Sequence, residues 1–120
     1  TIVKLPAIKK RPPAIAKAIV PDCRPFGFGH FGDGNLHYAI RQVIGADNAK
    51  FMQAHGKAIE YAVLDLVAEL KGSFSAEHGI GTEKLSDMDR YKTAIELQMM
   101  RDLKATFDPK GILNPGKVLG

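Results

Sequence analysis

The chain has 120 residues, 45% of them apolar, which suits one domain with a real core. Lys and Arg number 17 against 13 Asp and Glu, so the net charge of +4 suits anionic partners: small carboxylates, phosphates or nucleic acid. The single cysteine, Cys23, excludes an internal disulfide framework and a CxxC metal or redox site, and no apolar run approaches the ~18 residues of a membrane helix. No signal segment opens the chain, and Thr1 is not Met, so the sequence is expected to be part of a longer protein, cut at its N-terminus.

Thr1–Leu5 is β-branched and reads as a strand ended by Pro6. Pro12 and Pro13 predict the first turn of a short Ala-rich helix over Ala14–Val20, closed by Pro21. Two strand-like stretches follow, Pro25–His30 and Asn35–Ile40, with Gly32-Asp33-Gly34 between them as a hairpin signal. Asp47 to Lys71 is periodic at helical spacing, with Asp47 as N-cap and Gly72 as C′ residue. Its apolar stripe is Phe51, Ala58, Ile59, Ala62, Val63, Leu66 and Leu70. Gly72–Ala76 reads as a last strand. A final helix is expected from about Asp89 to Phe107, with Ile95, Met99, Leu103 and Phe107 inward and Pro109 as its stop. The order β-α-β-β-α-β-α predicts an α+β fold over residues 1–120. Its plan is a ferredoxin-like split βαβ with an antiparallel sheet, plus an extra C-terminal helix and tail.

Three clusters carry candidate chemistry. In Gly29-His30-Phe31-Gly32-Asp33-Gly34-Asn35-Leu36-His37, a turn centred on Gly-Asp-Gly pairs residues whose numbers sum to 67. His30 then faces His37 with Cβ atoms roughly 4.5–5.5 Å apart, close enough for one ion. A slip of one residue separates the rings, and two histidines on a solvated hairpin remain the plain alternative. In Ser75-Ala76-Glu77-His78-Gly79-Ile80-Gly81, Glu77 can complete a His, His, carboxylate set with an open position, as in catalytic metal sites. His78 can then serve as general base. Adjacent strand residues point to opposite faces, so both face one site only if the backbone bends after Ala76; otherwise this is a polar strand end. The third cluster, Phe107–Lys117, reads as a helix stop followed by two tight turns. His55, mid-helix, reads as a partly exposed structural residue, and Cys23 as inert packing.

A rival of another class is RNA binding. Arg24–Phe31 partly matches the RNP1 string of RNA-recognition domains. Pro25 and Gly29 break the pattern, the string sits on the second strand rather than the third, and the first strand has no aromatic residue to stack a base. A nucleic-acid partner is therefore not expected.

Together, the strings GHFGDGNLH (Gly29–His37), SAEHGIG (Ser75–Gly81) and FDPKGILNPGK (Phe107–Lys117) resemble one family, in its order and spacing. It is the C-terminal domain of FAD-linked oxidases of the D-lactate dehydrogenase, glycolate oxidase and D-2-hydroxyglutarate dehydrogenase group. The resemblance implies a cap and substrate domain that works with its own N-terminal FAD-binding domain. Members oxidise D-2-hydroxy acids to 2-oxo acids and pass a hydride to FAD, many with a divalent metal, often zinc. By motif match, His30, His37 and Glu77 are metal ligands, His78 takes the hydroxyl proton, and Asn114 approaches the flavin. The partners implied are a small anionic 2-hydroxy acid and an electron acceptor that the motifs do not specify. With no transmembrane segment, a cytoplasmic location is the default expectation, although some relatives dock on the membrane.

The sequence also departs from the family. Ala39 stands where close relatives often carry Asn, which removes a hydrogen bond to substrate. The family's basic residues for the substrate carboxylate lie mostly before the first strand and have no counterpart in these residues. The alternative is a ferredoxin-like metal-binding module without redox activity.

Overall fold

The structure, a computed structural model, describes residues 5–42, 44–75 and 77–120. The chain forms two compact units, Thr1–Ser73 and Phe74–Gly120. As the sequence implies, the class is α+β with an antiparallel sheet.

The first unit holds α1 (Leu5–Ile19), β1 (Arg24–Phe28), β2 (His37–Arg41), α2 (Asn48–Phe51), a π-turn over Met52–Gly56, and α3 (Lys57–Glu69). Helix α1 is longer than the sequence suggests, because it starts at Leu5 and runs through Pro12 and Pro13. Residues 1–4 of the expected first strand lie outside the described residues. Each proline removes a backbone donor from the helix. Pro12 and Ala16, one turn apart, are both fully buried, and that burial offsets the lost bonds. Helix α1 lies against α3. Arg11 bridges to Glu69 of α3 with two parallel bonds of 2.8 Å, a forked pairing on the exposed side of the two helices. The core of this unit gathers Ala16, Cys23 and Ile59, with Ile19, Val20, Ile40, Phe51 and Val63 packed around them. Cys23 is a buried free thiol within it.

Asp47 caps α2 as expected, accepting from the Ala49 and Lys50 amides. The helical run then continues to Glu69 through the π-turn. Ile59 and Leu66 are buried, whereas Ala58, expected inside, is exposed. The helix end corrects the expected cap by one residue. Lys71, not Gly72, takes the left-handed conformation, with φ of 56°. The Lys71 amide donates to Ala68 O and the Gly72 amide to Val67 O, each at 2.8 Å. That is the Schellman pair of bonds, with Lys71 at C′ and Gly72 at C″. Glycine is needed at 72 for space, since a Cβ there would lie 2.9 Å from Val67 Cγ1.

The second unit holds α4 (Leu85–Tyr91) and α5 (Ala94–Phe107). Residues 72–75, expected as a strand, are irregular, with bends at Phe74 and Ser75, and Ala76 lies outside the described residues. The single helix expected from Asp89 is broken at Lys92–Thr93. Thr93 starts α5 with a capping box: its hydroxyl accepts from the Glu96 amide, and the Glu96 carboxylate accepts from the Thr93 amide. That backbone bond, helped by Lys92 and the Thr93 hydroxyl, pulls the Glu96 carboxyl down to about 2. Helix α5 ends before Pro109 as expected. Its apolar stripe, however, faces solvent: Ile95, Met99, Leu103 and Phe107 are 74, 60, 58 and 80% exposed. The buried face carries Leu97 instead.

Lys71→Gly removes a Cβ from a left-handed residue and is expected to stabilise the first unit by roughly 0.5 kcal/mol, net of the freer unfolded chain. Urea unfolding followed by helix signal checks this; a lower midpoint would contradict the assignment of Lys71 to C′.

Candidate active site

The hairpin and the Glu77–His78 turn belong to different units, and each has its own local cause. Strands β1 and β2 pair antiparallel with Phe28 opposite His37 and Arg24 opposite Arg41. Partner numbers therefore sum to 65, not 67, and His30 is not opposed to His37. The reason is an eight-residue connection in place of a two-residue turn. The His30 carbonyl accepts from both the Asp33 and Asn35 amides at 3.1 Å, around a 3-10 turn over Phe31–Asp33. This closes a small loop and lifts residues 30–35 out of the ladder. Gly29 makes the entry possible. Its φ is 148°, and a Cβ there would lie 2.6 Å from the Asn35 carbonyl oxygen.

His37 opens β2, half-buried, with its ring stacked on Phe28 at 5.2 Å and 17°. Phe28 stacks in turn on Phe26, and the Arg41 guanidinium lies over the Phe26 ring. The imidazole of His37 is thus oriented by an aromatic row, while His30 sits exposed on the turn. The sequence reading did not single out Asn35. Its Oδ1 is buried with no hydrogen-bond partner among the described residues. A polar atom between the two histidines that is already out of water is a ready acceptor for a ligand donor. Next along β2, the Tyr38 hydroxyl is likewise buried and unpaired, and burial, with Cys23 nearby, pushes it up to about 12.

In the second unit the backbone bends on both sides of Ala76, the condition under which Glu77 and His78 can share a side. They do: Glu77 Oε1 and His78 Nε2 lie 3.8 Å apart, with both residues exposed. The turn is held from within, since Ser75 Oγ donates to the Gly79 carbonyl and accepts from Lys84 Nζ at 3.0 Å. A carboxylate and an imidazole at this spacing can bind one cation together, or can pass a proton with the carboxylate stabilising the imidazolium.

Asn114 lies on the tail with φ of 45° and its carbonyl accepting from the Lys117 amide. The residues that shape this tail escaped the sequence reading, which saw only a helix stop and turns. Asp108 is buried and accepts from the Ile112 and Leu113 amides at 3.0 and 2.9 Å. Lys104 binds the Asp108 carboxylate and the Leu113 carbonyl. The signal was present as Asp before Pro at a helix end, with Lys one turn earlier. The Lys104 ammonium first, then the two amides, hold the Asp108 carboxyl below the usual carboxylate range against the opposing effect of burial.

With this geometry in place, the chain can be assigned to a family. It belongs to the FAD linked oxidases, C-terminal domain, whose pattern matches residues 4–118. Among individual relatives, it is 39% identical over 120 residues to a D-2-hydroxyglutarate dehydrogenase of Stutzerimonas stutzeri, covering 98% of this chain and 25% of the relative. It is 44% identical over 93 residues to the mitochondrial D-2-hydroxyglutarate dehydrogenase of Bos taurus, covering 78% of this chain and 16% of the relative. A D-2-hydroxyglutarate–pyruvate transhydrogenase of Saccharomyces cerevisiae is 39% identical over 105 residues, covering 86% of this chain and 19% of the relative. The chain thus spans a quarter or less of the length of these relatives. No helix among the described residues is long and apolar enough to cross a membrane.

Because the folded carboxyl of Asp108 titrates below the unfolded one, its clamp contributes stability above about pH 4 and loses it as pH falls through the unfolded and then the folded value. Amide exchange at Ile112 and Leu113 is expected to be slow at neutral pH and to lose protection progressively as pH falls from about 4 through the lower folded value. Protection that is unchanged in Asp108→Asn at pH 7 would remove Asp108 as the organiser of the tail.

Proposed function

We propose that the polypeptide carrying this chain is a flavoenzyme that oxidises a D-2-hydroxy acid to a 2-oxo acid, with residues 1–120 as its C-terminal cap and substrate domain. The names of the matched relatives point to D-2-hydroxyglutarate, a substrate whose negative charge suits a chain of net charge +4. The observation that carries the reading is the Glu77–His78 pair, 3.8 Å apart on a braced turn in a member of this family.

In this reaction the substrate loses two electrons and two protons' worth of hydrogen. His78 accepts the hydroxyl proton, the α-hydrogen leaves with its electron pair as hydride, and the carbinol carbon becomes a carbonyl. FAD, held mostly by the N-terminal domain of the same protein, is the hydride acceptor. An imidazole nitrogen can take a proton as base and release it again on each turnover. The Glu77 carboxylate beside it stabilises the imidazolium or joins a cation site.

Two imidazoles and a carboxylate form a donor set of the kind zinc takes; the oriented ring of His37 and the buried Oδ1 of Asn35, which has no hydrogen-bond partner among the described residues, support the reading on the hairpin side. His30, His37 and Glu77 would hold the ion. It would lower the pKa of the substrate hydroxyl and offset the substrate carboxylate. With His30 on the turn and not across the ladder, its ligation depends on the Gly29–Asn35 loop and not on strand pairing. Asn114, on the clamped tail, would approach the flavin.

His78→Ala in the full-length enzyme is expected to slow flavin reduction by roughly 10²–10⁴-fold while FAD stays bound. Stopped-flow absorbance reads the rate, and unchanged reduction would remove His78 from the mechanism. Chelation is expected to slow the same step and added zinc to restore it; a rate indifferent to both would remove the metal.

A further inference from the structure

The two faces of the β1–β2 hairpin differ. Ile40 turns inward and packs with Ala16, Cys23 and Ile59. Side chains alternate along a strand, so the other face carries His37, Ala39 and Arg41, opposite Phe28, Phe26 and Arg24. This face is open: Phe26 and Phe28 are 41 and 54% exposed, and both arginines are exposed. Arg24 and Arg41 oppose each other directly, a like-charge pair that weakens a hairpin. Neither has a carboxylate partner among the described residues. The Arg41 guanidinium instead lies 5.3 Å from the centre of the Phe26 ring, and Phe26 is the cross-strand partner of Ala39. Arg41 thus leans back along the face toward His37. Its N–H groups keep their donor capacity, because a cation–π contact uses none of them. The ring faces of Phe26 and Phe28 are taken up by one another, by His37 and by this guanidinium. What the face offers a ligand is therefore donors and positive charge, not a surface on which bases stack.

We propose that Arg41, with Arg24 beside it, is a specificity-determining residue that binds the substrate carboxylate remote from the reacting carbon. The inference rests on the reading of the chain as the substrate domain of a flavoenzyme that oxidises 2-hydroxy acids, with the reacting end of the substrate at His37. The pair Phe26–Ala39 is the next on this face after the pair Phe28–His37, about 7 Å along the strand. The two carboxyl carbons of an extended five-carbon 2-hydroxy diacid lie about 5 Å apart, spanned by four C–C bonds of ~1.5 Å. One hydrogen bond of ~2.8 Å then brings the remote carboxylate to the guanidinium. The planar fork of arginine matches a carboxylate with two parallel bonds, and a lactate-sized substrate ends short of it. Ala39 contributes through its size, since a long side chain there would stand between His37 and the guanidinium on the same face. The bound carboxylate would also offset the repulsion between the two arginines.

The test is calorimetric titration of the full-length protein with 2-oxoglutarate and with 2-oxobutyrate. Neither 2-oxo acid can reduce the flavin, and only the first carries the remote carboxylate. The unaltered protein is expected to bind 2-oxoglutarate at least roughly tenfold more tightly than 2-oxobutyrate. Arg41→Gln is expected to remove that preference by weakening 2-oxoglutarate alone. Arg41→Lys, which keeps the charge and loses the fork, is expected to retain part of it. A preference that survives Arg41→Gln, an equal loss of both ligands, or no preference in the unaltered protein would overturn the proposal. Flavin reduction by D-2-hydroxyglutarate is read on the same samples. Reduction without an Arg41-dependent preference keeps the proposed function and sinks this inference. An Arg41-dependent preference without reduction does the reverse.

Discussion

The position of His37 depends on one close approach, that of Gly29 to the backbone of the loop it enters. A side chain at 29 would meet Asn35 O at 2.6 Å, Leu36 Cα at 3.1 Å and His37 N at 3.2 Å. All three are backbone atoms, so no rotamer change relieves the clash. Without that approach the His30 carbonyl could not collect the Asp33 and Asn35 amides, and the loop could not close where it does. The closed loop in turn sets the register that puts Phe28 opposite His37 and stacks the two rings. A steric constraint at one backbone position thus becomes the orientation of an imidazole, and orientation is what a ligand or proton carrier needs most.

The second unit reaches the same end through charge. Ser75 and Lys84 brace the turn that brings Glu77 and His78 to 3.8 Å. Lys104 and Asp108 close the tail that presents Asn114, with a buried carboxylate satisfied by an ammonium and two amides. Such a carboxylate is stabilising only while all its partners are in place. The chemistry-bearing residues of this unit lie on irregular backbone, but each loop is internally hydrogen-bonded. The scaffold for function is therefore the set of side-chain-to-backbone bonds more than the helices themselves.

Much of this was legible in the residues. The Asp47 cap, the stop at Pro109, the hairpin and its antiparallel sense, and the three motif strings follow from local rules with short range. What misled was competition between those rules. Gly-Asp-Gly is a good two-residue turn, but the carbonyl of His30 offered the Asp33 and Asn35 amides a better partner, and the ladder ended two residues earlier. Pro12 and Pro13 look like a helix start, yet burial of Pro12 keeps them inside α1. The α5 stripe has the right period, but periodicity says only that one face is apolar and not what covers it. Thr93-Ala94-Ile95-Glu96 spelled a capping box, and reading it would have divided the last helix correctly. Asp108 before Pro109 with Lys104 one turn earlier signals their pairing, but not the clamp's backbone partners, the Ile112 and Leu113 amides and the Leu113 carbonyl, which are fixed only once the tail has folded.

The proposed function asks for a base and a metal-ligand set that serve the oxidation of a D-2-hydroxy acid by a flavin. Anaerobic mixing of the full-length protein with D-2-hydroxyglutarate, against its L enantiomer, tests it most directly. Loss of the oxidised flavin's visible absorbance with the D form alone is the predicted result. An oxidised flavin that persists with D-2-hydroxyglutarate and with other D-2-hydroxy acids would contradict the claim.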